Sequence, residues 1–339
     1  MKRLKLFDKV LFFVNSVVAA MLLLSYLLPY LEPKKFAALS VLSLAVPVLI
    51  ILNVLFVVYW LLKVKRQLTL SLIVLIVGYS YVFSLYKFSS SKQIKDAANI
   101  SVMNYNVRLF NLFNWIEKGN VKNEIASFIT TESPDIICFQ EYHSTEELVL
   151  EGYYKFEDLS GDKVKSGQAI YSKFPILNSG SVEFPKSSNN AIFIDALIAE
   201  DTLRIYNVHL QSSGINTKVE NLKKESSENL FKRVRKTFKT QQMQMELFLK
   251  HKNKTQHKMV VCGDFNNTAY SYVYKEIKDD LQDTFEVAGN GFGRTFDFKL
   301  FPVRIDFILA DPSFTVNSFK TYDVELSDHY PIKTELKLN

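Results

Sequence analysis

The chain is 339 residues long and carries 41 Lys+Arg against 35 Asp+Glu, a formal net charge of +6. That length accommodates one large domain or two ordinary ones. With only 2 cysteines, a disulfide scaffold is excluded and a cysteine-held metal cluster has too few ligands.

Three stretches near the N-terminus, 10–31, 36–62 and 67–86, contain no charged side chain. Each is long enough to cross the roughly 30 Å hydrocarbon layer as a helix, so three transmembrane helices are expected over residues 1–87. A cleaved signal peptide is the alternative for the first. Its apolar run exceeds the roughly 7–15 residues of a signal h-region, and two further runs follow directly. Soluble helices show a polar face, and these do not.

Basic residues set the expected orientation. Lys2, Arg3, Lys5 and Lys9 precede the first stretch and Lys63, Lys65 and Arg66 separate the second from the third, whereas Lys34 and Lys35 lie between the first two. Read by the positive-inside rule, the N-terminus is cytoplasmic and everything after residue 87 lies outside. Lys87, Lys92 and Lys95 argue the other way.

Residues 88–98, with SSSK and few apolar side chains, read as a tether to a domain over 99–339. Residues 1–87 hold 10 Lys+Arg and 2 Asp+Glu, leaving 31 against 33 for the remainder, a net charge of −2. The domain is therefore not a generally basic, nucleic-acid-coating one.

Within it, strands are expected at about 99–107, 135–140, 167–172, 191–199, 202–209, 258–264, 303–310 and 331–338, and helices at about 119–132, 220–250 and 269–279. Some strands follow one another directly and others are separated by helices, the pattern of mixed sheets covered by helices. Cys138 and Cys262 each sit inside an apolar run, as buried free thiols would. Between Lys218 and Lys258 stand 12 Lys+Arg and 4 Asp+Glu. The spacing of Leu230, Phe231, Val234, Phe238, Met245 and Leu249 makes this a solvated helix with a core-facing stripe. A basic face for lipid or nucleic-acid phosphate is the other reading.

Polar residues stand in or at the ends of the strand-like runs: Asn106 in MNYNV, Glu141 in FQE, His209 in NVHLQ, Asp264 and Asn266 in GDFN, Asp306 in RIDFIL, and Asp328 with His329 in SDHYPI. Oxygen ligands such as Glu141, Asn106, Asp264 and Asp328 suit a hard cation, Mg²⁺ or Mn²⁺, better than zinc. An imidazole with Asp306 as its carboxylate partner is a candidate general base. Together these groups fit phosphoester hydrolysis, in which a metal neutralises the phosphate and a base activates water. Ser327, His209 and Asp306 can be assembled on paper into a serine-hydrolase set, but no Gly-x-Ser-x-Gly turn supports it. His143, two residues past Glu141, reads as a surface histidine.

These motifs, in this order over residues 100–335, resemble the endonuclease/exonuclease/phosphatase superfamily. The resemblance implies a four-layer α/β/β/α sandwich of two mixed sheets. It makes Glu141 the principal metal ligand with Asn106 beside it, and Asp264 the group that orients or deprotonates the attacking water. Asn266 would hold the phosphate, His209 would donate to a phosphate oxygen, and His329, oriented by Asp306, would act as base or phosphate-stabilising imidazole. Asp328 would contact a metal or support His329. Tyr171, in GQAIYSKFPI, would be either a phosphate contact or a core tyrosine.

The stretch from Ser212 to about Lys232 is longer than compact nucleases of this kind carry, and the aromatic and arginine elements of abasic-site enzymes are not evident. The expected function is a membrane-anchored phosphodiesterase acting outside the cytoplasm on a lipid head group or small phosphoester. Its partners would be that substrate and the bilayer, with no obligate protein partner. The alternatives are an extracytoplasmic nuclease and an inactive phospho-ligand scaffold. A scaffold needs no water-activating set, which disfavours it.

Overall fold

Period-two alternation sorts the apolar side chains of the central strands onto opposite faces, and the architecture follows from covering both. The computed structural model describes residues 5–88, 94–117, 119–143, 148, 150–162, 164–214, 226–298 and 301–339. Its strands are β1 (Tyr86–Lys87), β2 (Asn99–Asn106), β3 (Ile136–His143), β4 (Tyr154–Ser160), β5 (Ser166–Ser172), β6 (Ile176–Glu183), β7 (Asn190–Ile198), β8 (Asp201–His209), β9 (Lys258–Asp264), β10 (Gln282–Asp283), β11 (Gly291–Phe292), β12 (Asp306–Ala310), β13 (Phe314–Thr321) and β14 (Ile332–Leu338).

Two six-stranded sheets form, in the orders β13-β14-β2-β3-β5-β4 and β10-β12-β9-β8-β7-β6. Both are mixed, because β2/β3 and β8/β9 are parallel and their neighbours antiparallel. A parallel pair needs a crossover, and a helix lies on each, Val121–Glu132 between β2 and β3 and Ser227–Lys252 between β8 and β9.

Val102, Ile136, Cys138 and Ile170 of the first sheet face Ile192, Ile205, Val260, Cys262 and Ile308 of the second. The outer faces are covered by helices: Ile125 and Ile129 pack on Met103 and Ile137, while Met245 and Phe248 pack on Tyr206 and Val261. This is the expected four-layer sandwich. Cys138 and Cys262 are buried and free on its facing sheets.

The sequence patterns miss β4, β6 and β13, and each of these is an edge strand. β4 and β6 bury neither face fully, so neither shows clean alternation. The long helix begins at Ser227, and the side chain of Ser226 before it caps Asn229 N; residues 220–225 of the expected 220–250 helix lie outside the described residues. Phe231, expected in the core, is exposed, while Gln241, Gln242 and Gln244 are buried. The glutamines win that face because Gln241 donates to the carbonyls of Gln211 and Asn266, at 2.8 and 3.1 Å.

The N-terminal region corrects the three-helix expectation. Leu6–Tyr30 and Pro33–Leu62 are long and apolar enough to cross a membrane, but 67–86 is not one helix: Leu68–Val77 and Tyr79–Leu85 meet at 81°. Gly78 sits at the break because a Cβ there would lie 2.0 Å from the Tyr26 ring. Inside the bundle Asn15 donates to Ser71 Oγ at 2.5 Å and accepts from Trp60 Nε1 at 2.9 Å. Such bonds hold apolar helices together where the hydrophobic effect does not.

The helical bundle is seated on the sandwich. Gln242 Oε1 accepts from Lys34 N at 2.7 Å, and Tyr270 stacks on Tyr81 with centroids 5.9 Å apart. Arg304, buried, donates to Ser84 Oγ at 2.7 Å and to Asp283 at 2.5 Å. The described part of the expected tether is also pinned, since Ile94 N donates to Asn317 O at 3.2 Å and Lys337 pairs with Asp96 at 2.6 Å. Residues 89–93 of it lie outside the described set.

Candidate active site

The polar residues of the motifs gather at one end of the sandwich because of strand parity. Asn104 and Asn106 share the inner face of β2 with Val102, Asn207 and His209 that of β8 with Ile205, and Asp264 that of β9 with Val260 and Cys262. Asp306 pairs in register with Asp264 across β9 and β12. The apolar inner face thus turns polar where the central strands end.

Glu141 joins by a different device. The β3–β5 register shifts between Phe139 and Tyr142, and Glu141 takes φ 47°. A bulge with a left-handed residue re-aims one side chain out of strand alternation, and Glu141 thereby lines a cavity that Asn266, Asp328 and His329 also line. Asn266 is left-handed too, at φ 49°, which Asn tolerates. Gly263 between them is obligatory, since a Cβ would sit 2.0 Å from Val208 O.

Asp264 is the hub. Its carboxylate accepts from Asn266 N at 2.8 Å, Asn106 Nδ2 at 3.0 Å and Asn266 Nδ2 at 3.2 Å. His329 Nε2 and His209 Nε2 lie 3.7 and 3.8 Å from it. His329 Nδ1 meets Asp306 at 3.0 and 3.2 Å, and Thr295 Oγ1 fixes Asp306 by accepting from its backbone N at 3.1 Å. The nitrogen His209 Nε2 is buried without a partner.

Burial sets the charges. It pushes the Asp264 carboxyl up to about 8 and raises Glu141 as well. It presses His209 down to about 3, with His329 nearby as second cause. Burial would also lower His329, but the carboxylates of Asp306 and Asp264 outweigh it and lift the imidazole to about 10.

The stability signs follow from these directions. His209 contributes stability that is lost as pH falls from about 6.5 towards 3. His329 contributes stability present below about 6.5 and lost as pH rises through 10, and Asp264 contributes stability lost between 3.8 and about 8. Metal-free protein is therefore expected to melt highest in mildly acidic buffer, with Tm falling from pH 6.5 to 9. Melting scans in EDTA across that range check it, and a flat alkaline limb would refute it.

Arg108, which the motif reading passes over, pairs with Asp328 at 3.1 Å and stacks on Trp115 at 4.5 Å. Thr295, Gln140 and Asn207 were also missed; Gln140 bridges Asn104 and Asn207 at 2.7 and 2.5 Å. Gln140 alone had a visible signal, its place beside Glu141 at a strand end. Ser327 spends its hydroxyl on Asn106 O at 2.8 Å, so no serine nucleophile is formed. His143 bonds Lys165 O at 2.7 Å, apart from the cluster. Tyr171 is a core tyrosine: it is buried, and its hydroxyl meets that of Tyr142 at 2.9 Å. Its expected substrate contact is withdrawn, because that hydroxyl is enclosed by aromatic neighbours and does not line the cavity.

Two groupings offer metal ligands. Asp264, Asp306 and His329 bring ligand atoms within 4.8 Å of one another, but the His329–Asp306 contact is already a hydrogen bond. Glu141 and Asp328 instead line the cavity of about 570 Å³ together with Asn266 and His329, and their oxygen chemistry fits a hard cation. Asn106 turns its amide nitrogen towards both carboxylates, at 3.0 Å from Asp264 and 3.5 Å from Glu141. As placed it orients them, and ligation through its oxygen requires the amide to turn over.

A sequence model of the Endonuclease/Exonuclease/phosphatase family matches residues 103–329. The chain belongs to this family. Members of the Endonuclease/Exonuclease/phosphatase family are metal-dependent phosphoesterases or nucleases, and the chain is an enzyme of that class. A second model, described as a domain of unknown function, matches residues 8–85. A search of curated proteins finds no match.

Among solved structures, a family protein from Bacteroides vulgatus is 21% identical, covering 71% of this chain and 99% of that one, with TM-score 0.55. The human Nocturnin catalytic domain with bound sulfate is 18% identical, covering 71% and 94%, TM-score 0.52. A Bacteroides thetaiotaomicron mannosyl-6-phosphatase is 21% identical, covering 70% and 99%, TM-score 0.52. These likenesses establish the shared fold.

Proposed function

We propose that the chain is a membrane-anchored phosphodiesterase, dependent on Mg²⁺ or Mn²⁺, that hydrolyses a lipid head group or another small phosphoester outside the cytoplasm. The supporting observation is the convergence of the His329–Asp306 pair, the buried carboxyl of Asp264 and cavity-facing Glu141. Glu141 and Asp328 would hold the cation, which when bound supplies charge neutralisation at the phosphate.

The remaining steps fall to side chains. His329, charged at neutral pH, donates from Nε2 to a phosphate oxygen or the leaving group, with Asp306 fixing its ring. Neutral His209 offers its unpartnered Nε2 to a second phosphate oxygen. Asp264, ionised when positive charge lies beside it, orients the attacking water and accepts its proton. Asn266 holds the phosphate by releasing one of its bonds, to Leu210 O at 3.0 Å or Asp264 at 3.2 Å.

The full chain in detergent is expected to hydrolyse bis-p-nitrophenyl phosphate with Mg²⁺ or Mn²⁺, to lose the activity in EDTA and to regain it on re-addition. Activity indifferent to EDTA would sink the metal mechanism.

The side of the membrane rests on charge. Lys63 pairs with Asp8 at 3.5 Å, so Lys5, Lys9, Lys65 and Arg66, near them along the chain, sit at the bundle end away from the contacts of Lys34, Tyr81 and Ser84 with the sandwich. The positive-inside rule then puts the sandwich outside. A reporter fused after Asn339 is expected to be active only in its extracytoplasmic form; cytoplasmic activity would reverse the orientation. The nuclease alternative keeps one supporting feature, the basic segment 218–258, and a side-by-side panel of DNA, RNA and phospholipids separates the two.

A further inference from the structure

The cavity that contains Glu141 and His329 has an unexpected wall. Leu44 lines it, and Leu44 belongs to the short 3₁₀ turn Val41–Ala45 inside the apolar stretch Pro33–Leu62. Leu230 of the first turn of Ser227–Lys252 lines the same cavity, as do Phe298 and Phe301. A residue of a membrane-crossing segment and the catalytic cluster thus share one half-open cleft of about 570 Å³, a volume in the ordinary range for an organic ligand.

Phosphate chemistry does not call for such a wall. Hydroxyl groups of a sugar or polyol laid against Leu44, Leu230 and the two phenylalanines would lose water without gaining hydrogen bonds. A nucleic acid needs cations along its backbone. Arg108 is the only Lys or Arg among the described lining residues, and it is engaged by Asp328 at 3.1 Å. Arg233, outside the lining, donates to the carbonyls of Ser213 and Gly214, which belong to it, at 2.6 and 2.8 Å. A hydrocarbon chain meets none of these objections, and the wall it would touch is continuous with a segment that lies in hydrocarbon.

We propose that the substrate is a lipid phosphodiester whose alkyl chain lies along Leu44, Leu230, Phe298 and Phe301 while its phosphate sits at Glu141 and His329. The inference rests on the phosphodiesterase reading and narrows its substrate class. The membrane segment is then part of the substrate site as well as an anchor, and the lipid reaches the cavity from the bilayer. Leu44 selects the chain and leaves the reacting atoms to the sandwich.

The test uses the full chain in detergent and alkyl p-nitrophenyl phosphodiesters with methyl, butyl and octyl groups, each below its micelle concentration, with Mn²⁺ present. For the unaltered protein kcat/KM is expected to climb with chain length, mainly through KM. The ceiling is roughly fourfold per methylene if each is fully buried. Leu44→Gln is expected to flatten that climb, and Leu230→Gln, in the other element, provides the same reading should the first variant fail to fold. Leu44→Trp, which fills the groove, should penalise octyl more than methyl. A climb of equal slope in the folded Leu44→Gln or Leu230→Gln variant would overturn the proposal, as would a flat profile in the unaltered chain or preference for a thymidine dinucleotide over every alkyl ester. Hydrolysis of no ester at all would instead remove the phosphodiesterase reading on which the proposal stands.

Discussion

His329→Ala is expected to lower kcat by about 10²- to 10⁴-fold with little change in KM, the range that loss of a positioned proton donor or acceptor produces. The imidazole is held on one side by Asp306 at 3.0 Å and approaches Asp264 to 3.7 Å on the other. Its position, fixed before substrate binds, makes its effect one on the transition state. Asp306→Asn should lose part of the same factor, because an amide cannot hold the imidazole charged as a carboxylate does. Without Asp306 the imidazole falls back from about 10, and the alkaline limb of the rate profile moves to lower pH. Steady-state rates on bis-p-nitrophenyl phosphate from pH 5 to 10 read both effects. A His329→Ala protein that stays folded and keeps more than about a tenth of the rate would exclude the imidazole from the chemistry.

Asp264→Ala should cost activity on the same scale, about 10²-fold or more, yet stability in the opposite direction. Asp264 is fully enclosed, and burial is what raises its carboxyl to about 8. Burial opposes the ionised form, so removing the carboxyl relieves a cost that the fold carries for function. Against this stand the unpaired amides of Asn106 and Asn266, which lose acceptors at 3.0 and 3.2 Å. Above pH 8 and without metal, the variant's Tm is expected to equal or exceed that of the unaltered chain. A variant both inactive and melting far lower would show that Asp264 serves the fold first.

Much of this was legible in the chain. The central strands could be read because both their faces are buried, which makes each a nearly continuous apolar run, and the motifs because each polar residue interrupts such a run at a strand end. The edge strands were not: β4 and β6 bury neither face fully, and a register shift between Val316 and Ser318 breaks the alternation of β13. Tyr171 shows the limit at the site. Its strand β5 lies beside the one carrying Glu141, yet its ring points to the outer face with Phe139 and Tyr142. Parity relative to a partner sheet decides that, and no single strand reveals it.

The amino-acid sequence by itself determined the mixed sheets covered by helices, the order of the motifs, the chemistry of their side chains and the presence of membrane-length apolar stretches. These depend on local periodicity and residue type, which are written along one dimension. The tertiary structure alone decided the rest. The β3 bulge turns Glu141 into the cavity, and the third apolar stretch bends at Gly78, where the Tyr26 ring leaves no room for a Cβ. Ser84 meets Arg304 220 positions away, and Leu44 comes to line a cavity whose catalytic wall begins about 100 residues later. Contacts of that separation depend on how layers stack, and stacking is set by the whole buried surface at once.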